Sequence, residues 1–406
     1  MAMKKTLIVG AALLAAGTAM AQTALVKEVE REMKGNPDAY PAAIEKLKPA
    51  FTNEETAKDA KTYKVAADGA VNYFSAGDVL ISAGKEDVNK KAVGRALLDA
   101  YKYADMILAN DTVVDAKGKV KTKYSKDALK LKAANFTNLI NAGNYMSGAQ
   151  DPEGAAEAWT YVVENRENPL YAEIAKTLAP DLWGELYFFI GISDSQIGKH
   201  KESYENFRKA YANGYDKKEA YDYAISEAYQ IDDKEGMAEV AAEAYPKYGA
   251  EDSSYIGRII NNYIDKKQFA EASKLLDDFI AKEPTNSQLY YVKGILADAQ
   301  GDKDNVMPNY LKAVELDPDN AAALFQIGYQ LALQAEAIDQ AEGGGLSNEQ
   351  YAALRNEKIN PLYRQAAEKL EKAYQLNNEL DDARRLLRTI YYQLNDEENL
   401  QRVSNM

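Results

Sequence analysis

The side chains that most often carry out catalysis or bind transition metals are nearly missing from this sequence. Among 406 residues there is no cysteine and a single histidine, His200. Thiol catalysis, disulfide cross-links, cysteine-ligated zinc and iron–sulfur clusters are therefore excluded. One histidine also makes a serine–histidine–aspartate triad or a histidine-based metal site untenable. We predict no metal site and no cofactor, and we expect His200 to lie exposed in a turn between two helices.

Two further patterns could support chemistry, and neither is sufficient. The glycine run at 343–345 is followed by Leu346 and a serine, without the lysine that a phosphate-binding loop requires, so we predict a turn between helices. Among 63 acidic residues, Glu227 and Asp298 are candidate general acids. Without a pocket, carboxylates on predicted helices are better explained as solvated surface. We therefore predict that the protein is not an enzyme.

The charge of the chain limits its partners. There are 49 Lys and Arg against 63 Asp and Glu, a net charge of −14. Such a chain is not attracted to nucleic acid or anionic lipid in general, and we expect no nucleic-acid partner. The segment 117–132 is a local exception, because its lysines face one acid, Asp127. This lysine-rich segment is either a solvated loop around Gly118 or a docking site for an acidic partner or a phosphorylated surface, and charge runs are usually solvated.

The N-terminus has the plan of a secretory signal peptide. Lysines at 4–5 precede an apolar run at 7–16, and small residues at 19 and 21 form a cleavage site. An apolar run of this length is too short to span a bilayer, and no cysteine is present to carry a lipid. We therefore predict cleavage after Ala21 and a periplasmic or secreted protein with no transmembrane helix and no lipid anchor.

A 34-residue repeat organises the second half of the chain. In one unit, a predicted helix A over 287–300 ends at Gly301, where glycine adopts a positive φ at little cost. Helix B follows with apolar residues on one face and ends before Pro318, because the residue before proline disfavours helical backbone. Gly294 and Ala313 are small where the two helices are predicted to cross.

This unit resembles the tetratricopeptide (TPR) repeat. The family's pattern of aromatic, small, alanine, aromatic, alanine and proline residues is matched here by Tyr290, Gly294, Val306, Tyr310, Ala313 and Pro318, with only Val306 departing from it. Units in the same register start at Glu219, Ser253, Ser287 and Ala321, and more degenerate units precede them. The chain is similar to the secreted TPR proteins of Bacteroidota. The resemblance implies an all-α, right-handed α-solenoid of helix-turn-helix repeats.

The repeat pattern also predicts the layout of the chain. We predict a signal peptide over 1–21, an irregular helical part with degenerate TPR-like units over 22–182, a regular TPR array over 183–394 and a polar tail over 395–406. In the unit from Ala321, the helix-B residues come 26 positions late. Both helices are therefore predicted to be lengthened into a hairpin at about 332–365, with a capping box from Ser347 and a kink at Pro361. A disordered insertion is the alternative, and the hairpin could also join two copies of the chain.

The resemblance implies which side chains would meet a partner. In TPR arrays the A helices line a concave groove, and their groove positions fall in this chain on Phe188, Tyr223, Glu227, Asn261, Tyr291, Asp298, Phe325, Tyr329 and Arg385. The family's carboxylate clamp needs lysine and asparagine where this chain is mostly aromatic or aliphatic, so capture of a C-terminal carboxylate is not implied. The aromatic residues either bind a partner or pack between neighbouring A helices.

The function implied by this resemblance is that of an exported, non-catalytic scaffold or adaptor which binds a protein or an extended peptide in its groove. The alternative is a binding protein for a small ligand, a glycan or a peptide, in envelope nutrient uptake. Surface receptors of Bacteroidota that contain TPR helix pairs also carry a lipidated cysteine, which this chain lacks. The sequence does not identify the partner.

Overall fold

The computed structural model describes residues 21–114 and 117–405, and this part of the chain is almost entirely α-helical. It forms two compact units, Met1–Asp233 and Lys234–Met406. Their boundary falls inside the array predicted from residue 183, not at its start. The predicted signal peptide lies outside the described residues apart from Ala21, which begins a helix.

The first unit combines short and long helices. Its described helices are α1 (residues 21–33), α2 (Tyr40–Leu47), α3 (Ala60–Ser82), α4 (Lys90–Asn110), α5 (Ser125–Ala134), α6 (Asn138–Gly148), α7 (Pro152–Glu164), α8 (Ala172–Ala175), α9 (Leu182–Gln196), α10 (His200–Ala212) and α11 (Lys218–Gln230). Between α4 and α5, β1 (Val113–Val114) pairs antiparallel with β2 (Val120–Lys121). The predicted loop around Gly118 is therefore a short β-hairpin.

Side-chain caps and close packing define these helices. The Asp59 carboxylate accepts a hydrogen bond from the Lys61 amide at the start of α3, and Asn89 does the same for Ala92 in α4. A core that includes Leu97, Phe136 and Trp159 is buried among α4, α6 and α7. The same core extends to Leu186 and Ile190 of α9, the helix that carries the candidate Phe188.

The second unit is more regular. Its helices are α12 (Lys234–Tyr248), α13 (Ser254–Asp265), α14 (Phe269–Lys282), α15 (Ser287–Gln300), α16 (Lys303–Leu316), α17 (Ala321–Glu342), α18 (Asn348–Leu354), α19 (Asn360–Leu376), α20 (Asp381–Gln393) and α21 (Glu397–Ser404). The pair α15–α16 has the predicted ends, and Gly301 has a φ of +78°. A Cβ at Gly294 would lie 2.4 Å from the Tyr310 ring, so the glycine is small because a buried tyrosine packs on it. The prediction of an all-α fold built from TPR-type helix pairs is confirmed.

The lengthened hairpin consists of α17 and the returning helices α18 and α19. Ser347 and Gln350 cap α18 reciprocally, with hydrogen bonds of 3.2 and 2.9 Å. A π-helical turn, Arg355–Ile359, precedes Pro361, so the helix is distorted here by a wide turn and not by the proline alone. Lys358 pairs with Glu342 across the hairpin at 2.5 Å.

The predicted polar tail over 395–406 requires a correction. Most of this segment is helix α21, whose Val403 is fully buried. Asp396 caps the helix by accepting a hydrogen bond from the Asn399 amide, and Arg402 pairs with Glu371 of α19. The sequence obscures this helix because a single apolar stripe of Leu400 and Val403 is enough to attach it to the end of the unit.

Candidate partner-binding site

In the first unit, Phe188 lies in the core and not on an open surface. The prediction that it faces a groove is wrong, because its side chain is buried. The Phe188 ring stacks on Tyr215, in the segment before α11, with 4.4 Å between ring centroids. It also meets the ring of Phe207 edge-on at 5.5 Å. Phe188 therefore stabilises the packing of α9, α10 and α11.

The prediction that Glu227 faces a groove is also wrong, because this residue is 4% exposed and therefore buried. The Ser195 hydroxyl donates a 2.6 Å hydrogen bond to one of its carboxylate oxygens, and Nδ1 of His200 lies 2.7 Å from the other. His200, expected in an exposed turn, is thus the first residue of α10 and is half-buried against this carboxylate. These two contacts give the buried Glu227 carboxylate its hydrogen-bond partners. They do not form a catalytic triad, because both neighbours bond to the glutamate and no histidine–serine bond is present.

Tyr223 does lie on the surface of the first unit, with 44% of its area exposed. Its ring stacks on Phe207 at 5.2 Å, so one face of the tyrosine is occupied by the core. Phe189 is not a groove position of the repeat pattern, but it is as exposed as Tyr223. Its ring lies 5.8 Å from that of Trp159, measured between centroids. The sequence shows only that two aromatic residues are adjacent at 188 and 189. Which of them is buried depends on the position of Tyr215, which covers Phe188.

In the second unit, three predicted residues share one cavity. We call it the α17–α20 pocket, and its volume is about 410 Å³. It is lined by Phe325, Gln326 and Tyr329 of α17 and by Asp382, Arg385, Leu386 and Thr389 of α20. Residues three and four apart lie on the same side of a helix, which brings each set to the cavity. The Phe325 and Tyr329 rings are nearly parallel, at 10°, with centroids 6.4 Å apart.

The charged group of this pocket is not locked in place. Arg385 pairs with Asp382 one helical turn away, and both side chains are 72% exposed. Such exposed pairs contribute little free energy, so the guanidinium can exchange this partner for another at small cost. The pocket therefore offers an aromatic wall, the exposed Arg385–Asp382 pair and the hydrogen-bonding groups of Gln326 and Thr389.

Tyr291 supports the pocket from the neighbouring helix pair. It is half-buried on α15 and lies next to Gln326, whose side chain lines the cavity. Burial raises the pKa of Tyr291, and the polar side chain of Gln326 opposes this shift in part. Tyr291 is thus placed to orient a lining residue. Asn261 and Asp298 are exposed on α13 and α15 and do not line the pocket.

The described residues contain no group of three or more His, Cys, Asp or Glu side chains placed to hold a metal ion. Over the same part of the chain, no helix combines the length and apolar character needed to cross a bilayer.

The chain was compared with families and with proteins of known sequence or structure. No protein-family model matches the chain. It is similar to a TPR repeats protein from Bacteroides fragilis, with 14% identity, a TM-score of 0.34, and coverage of 64% of this chain and 98% of that one. A tetratricopeptide repeat protein from Parabacteroides merdae is 15% identical, with a TM-score of 0.34 and coverage of 63% and 99%. YrrB, described as a TPR protein with an unusual peptide-binding site, is 14% identical, with a TM-score of 0.32 and coverage of 49% and 95%.

One curated protein is similar over a short stretch. It is a probable biofilm formation methyltransferase, WspC, of Pseudomonas putida, 30% identical over 81 residues. The match takes in 20% of this chain and 18% of the methyltransferase, so the chain spans less than a fifth of that relative's length.

Proposed function

We propose that this protein is an exported, non-catalytic scaffold that binds a protein or an extended peptide on the second unit, with the α17–α20 pocket as anchor point. The observation that carries the proposal is the meeting of Phe325, Tyr329 and Arg385 at one cavity. Tyrosine and arginine are among the residues that contribute most to binding at protein interfaces. Because the pocket is built on helices and not on loops, little ordering free energy is required when a partner binds.

The size and lining of the pocket fit one inserted side chain of a partner. Its volume of about 410 Å³ lies within the range of small binding cavities. An apolar or aromatic side chain can cover the Phe325 and Tyr329 rings, while Gln326 and Thr389 can hydrogen-bond to the partner's peptide groups. Arg385 adds attraction for a carboxylate or a carbonyl oxygen.

The experiment that tests this proposal removes the aromatic wall. The wild-type protein and the Phe325→Ala/Tyr329→Ala variant are used to capture partners from envelope extract, and the partner is then purified for affinity measurement. We expect binding weaker by about 30-fold, since anchor side chains contribute roughly 2 kcal/mol. The matched control is Arg388→Ala/Tyr392→Ala, because these exposed α20 residues do not line the pocket. Equal loss in both variants would contradict the proposal.

A small-ligand function is the second candidate, and the near-parallel aromatic rings favour it. Two rings at 10° beside Asp382, Arg385 and Thr389 could stack on the apolar face of a sugar and hydrogen-bond to its hydroxyls. A ligand that binds only the folded protein raises its melting temperature. A shift with oligosaccharides that Phe325→Ala/Tyr329→Ala abolishes would support this candidate over the peptide.

The exported location is part of the proposal. It rests on the basic start, the apolar run at 7–16 and the small residues before Gln22. Cell fractionation followed by intact-mass measurement tests it. We expect a protein that begins at Gln22 in the periplasmic or culture fraction, whereas a full-length protein confined to the cytoplasm would contradict the prediction.

A further inference from the structure

The lysine-rich segment contains one buried lysine and a separate set of exposed ones. Lys132 is 6% exposed; its ammonium group pairs with Asp105 and lies 5.5 and 5.2 Å from the centres of the Tyr101 and Tyr161 rings. It belongs to the core. Every other lysine of the segment is exposed, and we call this set the lysine surface: Lys117, Lys119, Lys121, Lys123, Lys126 and Lys130. Residues 117–130 contain these six lysines, one acid (Asp127) and no arginine, and Lys117, Lys119 and Lys121 each interact with another group.

The backbone that carries the lysine surface is held in a defined conformation. Asp111, at the end of α4, is buried, and its carboxylate accepts hydrogen bonds from the amides of Lys123, Tyr124 and Ser125 at 2.8, 2.6 and 2.6 Å. The Ser125 hydroxyl adds a fourth at 2.7 Å. Burial alone would raise the pKa of Asp111, but these hydrogen bonds outweigh it and keep the pKa below its usual value. The β-hairpin and the start of α5 are therefore joined at a fixed point.

The exposed lysines include one pair near β2 and one pair on α5. Lys126 and Lys130 are one helical turn apart on α5, so they share a face. In extended backbone, alternate residues such as Lys119 and Lys121 share a side. Among the described residues, Lys126 and Lys130 are exposed and form no ion pair. The Lys123 ammonium lies 4.9 Å from the centre of the Tyr124 ring, and the charges of Asp59 and Asp111 act on it. Asp127 is the acid on the lysine-bearing stretch of α5.

The composition of this surface discriminates between partners. Protein interfaces are enriched in aromatic residues and arginine and depleted in lysine. The lysine surface has the opposite composition, since its neighbouring aromatic residue, Tyr124, is only partly exposed and is covered by Lys123. Lysines attract anionic lipid headgroups as separate point charges without close packing. Acids more than about 8 Å away weaken this attraction little, because charges are screened beyond that distance at physiological ionic strength; Asp59 and Asp111 are close enough to act on Lys123.

We propose that the lysine surface docks this protein on the headgroups of an anionic phospholipid bilayer. The contact is electrostatic and reversible, and it involves neither the α17–α20 pocket nor insertion of a helix. It is independent of the proposed function, because the lysine surface lies in the first unit and the pocket in the second.

Vesicle co-sedimentation tests the proposal with the full chain. The probes are vesicles of pure phosphatidylcholine and vesicles with about a third phosphatidylglycerol, at low and high salt. We expect binding to the anionic vesicles alone, and release in about 0.5 M salt. Lys123→Gln/Lys126→Gln/Lys130→Gln should weaken it on the order of a hundredfold, since each lysine near such a surface contributes about fivefold. The charge-matched control, Lys34→Gln/Lys85→Gln/Lys90→Gln, replaces exposed lysines of the same unit and should bind as the wild type does.

The proposal is overturned if the wild-type protein ignores anionic vesicles at low salt, or if the two triple variants bind equally well. An acidic peptide such as polyglutamate is added as a third probe. Binding to polyglutamate without binding to vesicles would assign the lysine surface to an acidic protein and overturn the lipid assignment. Circular dichroism of each variant shows that a loss of binding does not come from unfolding.

Discussion

Two surfaces of the molecule have similar residues at matching repeat positions but differ in exposure. The surface of α9 and α11 is covered, and the surface of α17 and α20 is open. Phe188 and Phe325 occupy the same place in their 34-residue units, as do Glu227 and Tyr329. In the first unit, Phe188 is covered by Tyr215 and Glu227 by its hydrogen-bond partners. In the second, Phe325 and Tyr329 line a cavity whose other wall is polar. The ring that covers the first face, Tyr215, lies in the connection before α11. The connection before α20, residues 377–380, contains no aromatic residue.

The largest expected effect comes from the closed face. Phe188→Ala should lower the free energy of unfolding of the first unit by about 3–5 kcal/mol, because the truncation leaves a cavity in the core. Trp159 and Trp183, the two tryptophans of the chain, both lie in this unit. Tryptophan fluorescence during urea unfolding therefore reports on it directly. The exposed neighbour offers the control: Phe189→Ala should cost less than about 1 kcal/mol, and a similar cost for both would show that Phe188 is not covered.

Acid should also weaken the first unit through a buried ion pair. The Asp151 carboxylate binds Arg95 with two hydrogen bonds of 2.6 Å, and these lower its pKa. A carboxyl whose pKa is lower in the folded state stabilises the fold above its unfolded pKa, and this contribution disappears as pH falls through the folded value. Asp151→Asn should therefore cost about 3 kcal/mol at pH 7, because the Arg95 guanidinium loses two short hydrogen bonds to a buried carboxylate.

The same pair predicts how that cost depends on pH. The difference between wild type and Asp151→Asn should shrink as pH is lowered below the ordinary value of 3.8 for this group. Urea unfolding followed by tryptophan fluorescence at neutral and acid pH measures it. A difference that stays constant, or grows, in acid would mean that the carboxylate charge does not stabilise the fold.

In the second unit, the packing of glycine on tyrosine can be tested with two alanines. Gly294→Ala should cost about 2 kcal/mol, because the new Cβ would collide with the buried ring of Tyr310. At Gly257, inside α13, an added Cβ would meet no atom within 4 Å, so Gly257→Ala should be neutral or stabilising by up to about 1 kcal/mol. Circular dichroism during thermal unfolding compares them, and equal effects at the two glycines would contradict the packing.

Truncation of a ring on the open face should cost less stability than truncation of Phe188 on the closed face. Phe325→Ala should cost less than about 1.5 kcal/mol, since the side chain is only partly buried and already borders a cavity. Thermal unfolding by circular dichroism measures this change. A loss as large as that of Phe188→Ala would mean that Phe325 is a core residue and that the two faces do not differ.

Local sequence signals predicted the repeat but not the state of these faces. Gly301 and the Ser347 capping box mark helix ends because their chemistry acts within a few residues. The repeat spacing also led to Phe325, Tyr329 and Arg385, which the structure brings together at one pocket. Phe188 was misplaced because the ring that buries it, Tyr215, lies in the connection to the next repeat, where the family pattern specifies nothing. Contacts of this kind depend on the path of the chain between repeats.

The polar contacts of the first unit could not be predicted from the sequence either. Glu227, Ser195 and His200 come from three successive helices, and no spacing rule links them. The burial of Lys132 among tyrosines is a similar case, since a run of lysines alone indicates a solvated surface.

The claim that the open face of the second unit binds the partner, and that the closed face does not, can be tested by photo-crosslinking in the native cell. A photoreactive phenylalanine analogue replaces Tyr329 in one strain and Tyr223 in another, which keeps an aromatic ring at both sites. We predict that one partner is crosslinked reproducibly from position 329 and is absent from position 223. Crosslinking of that partner from position 223 alone would contradict the account.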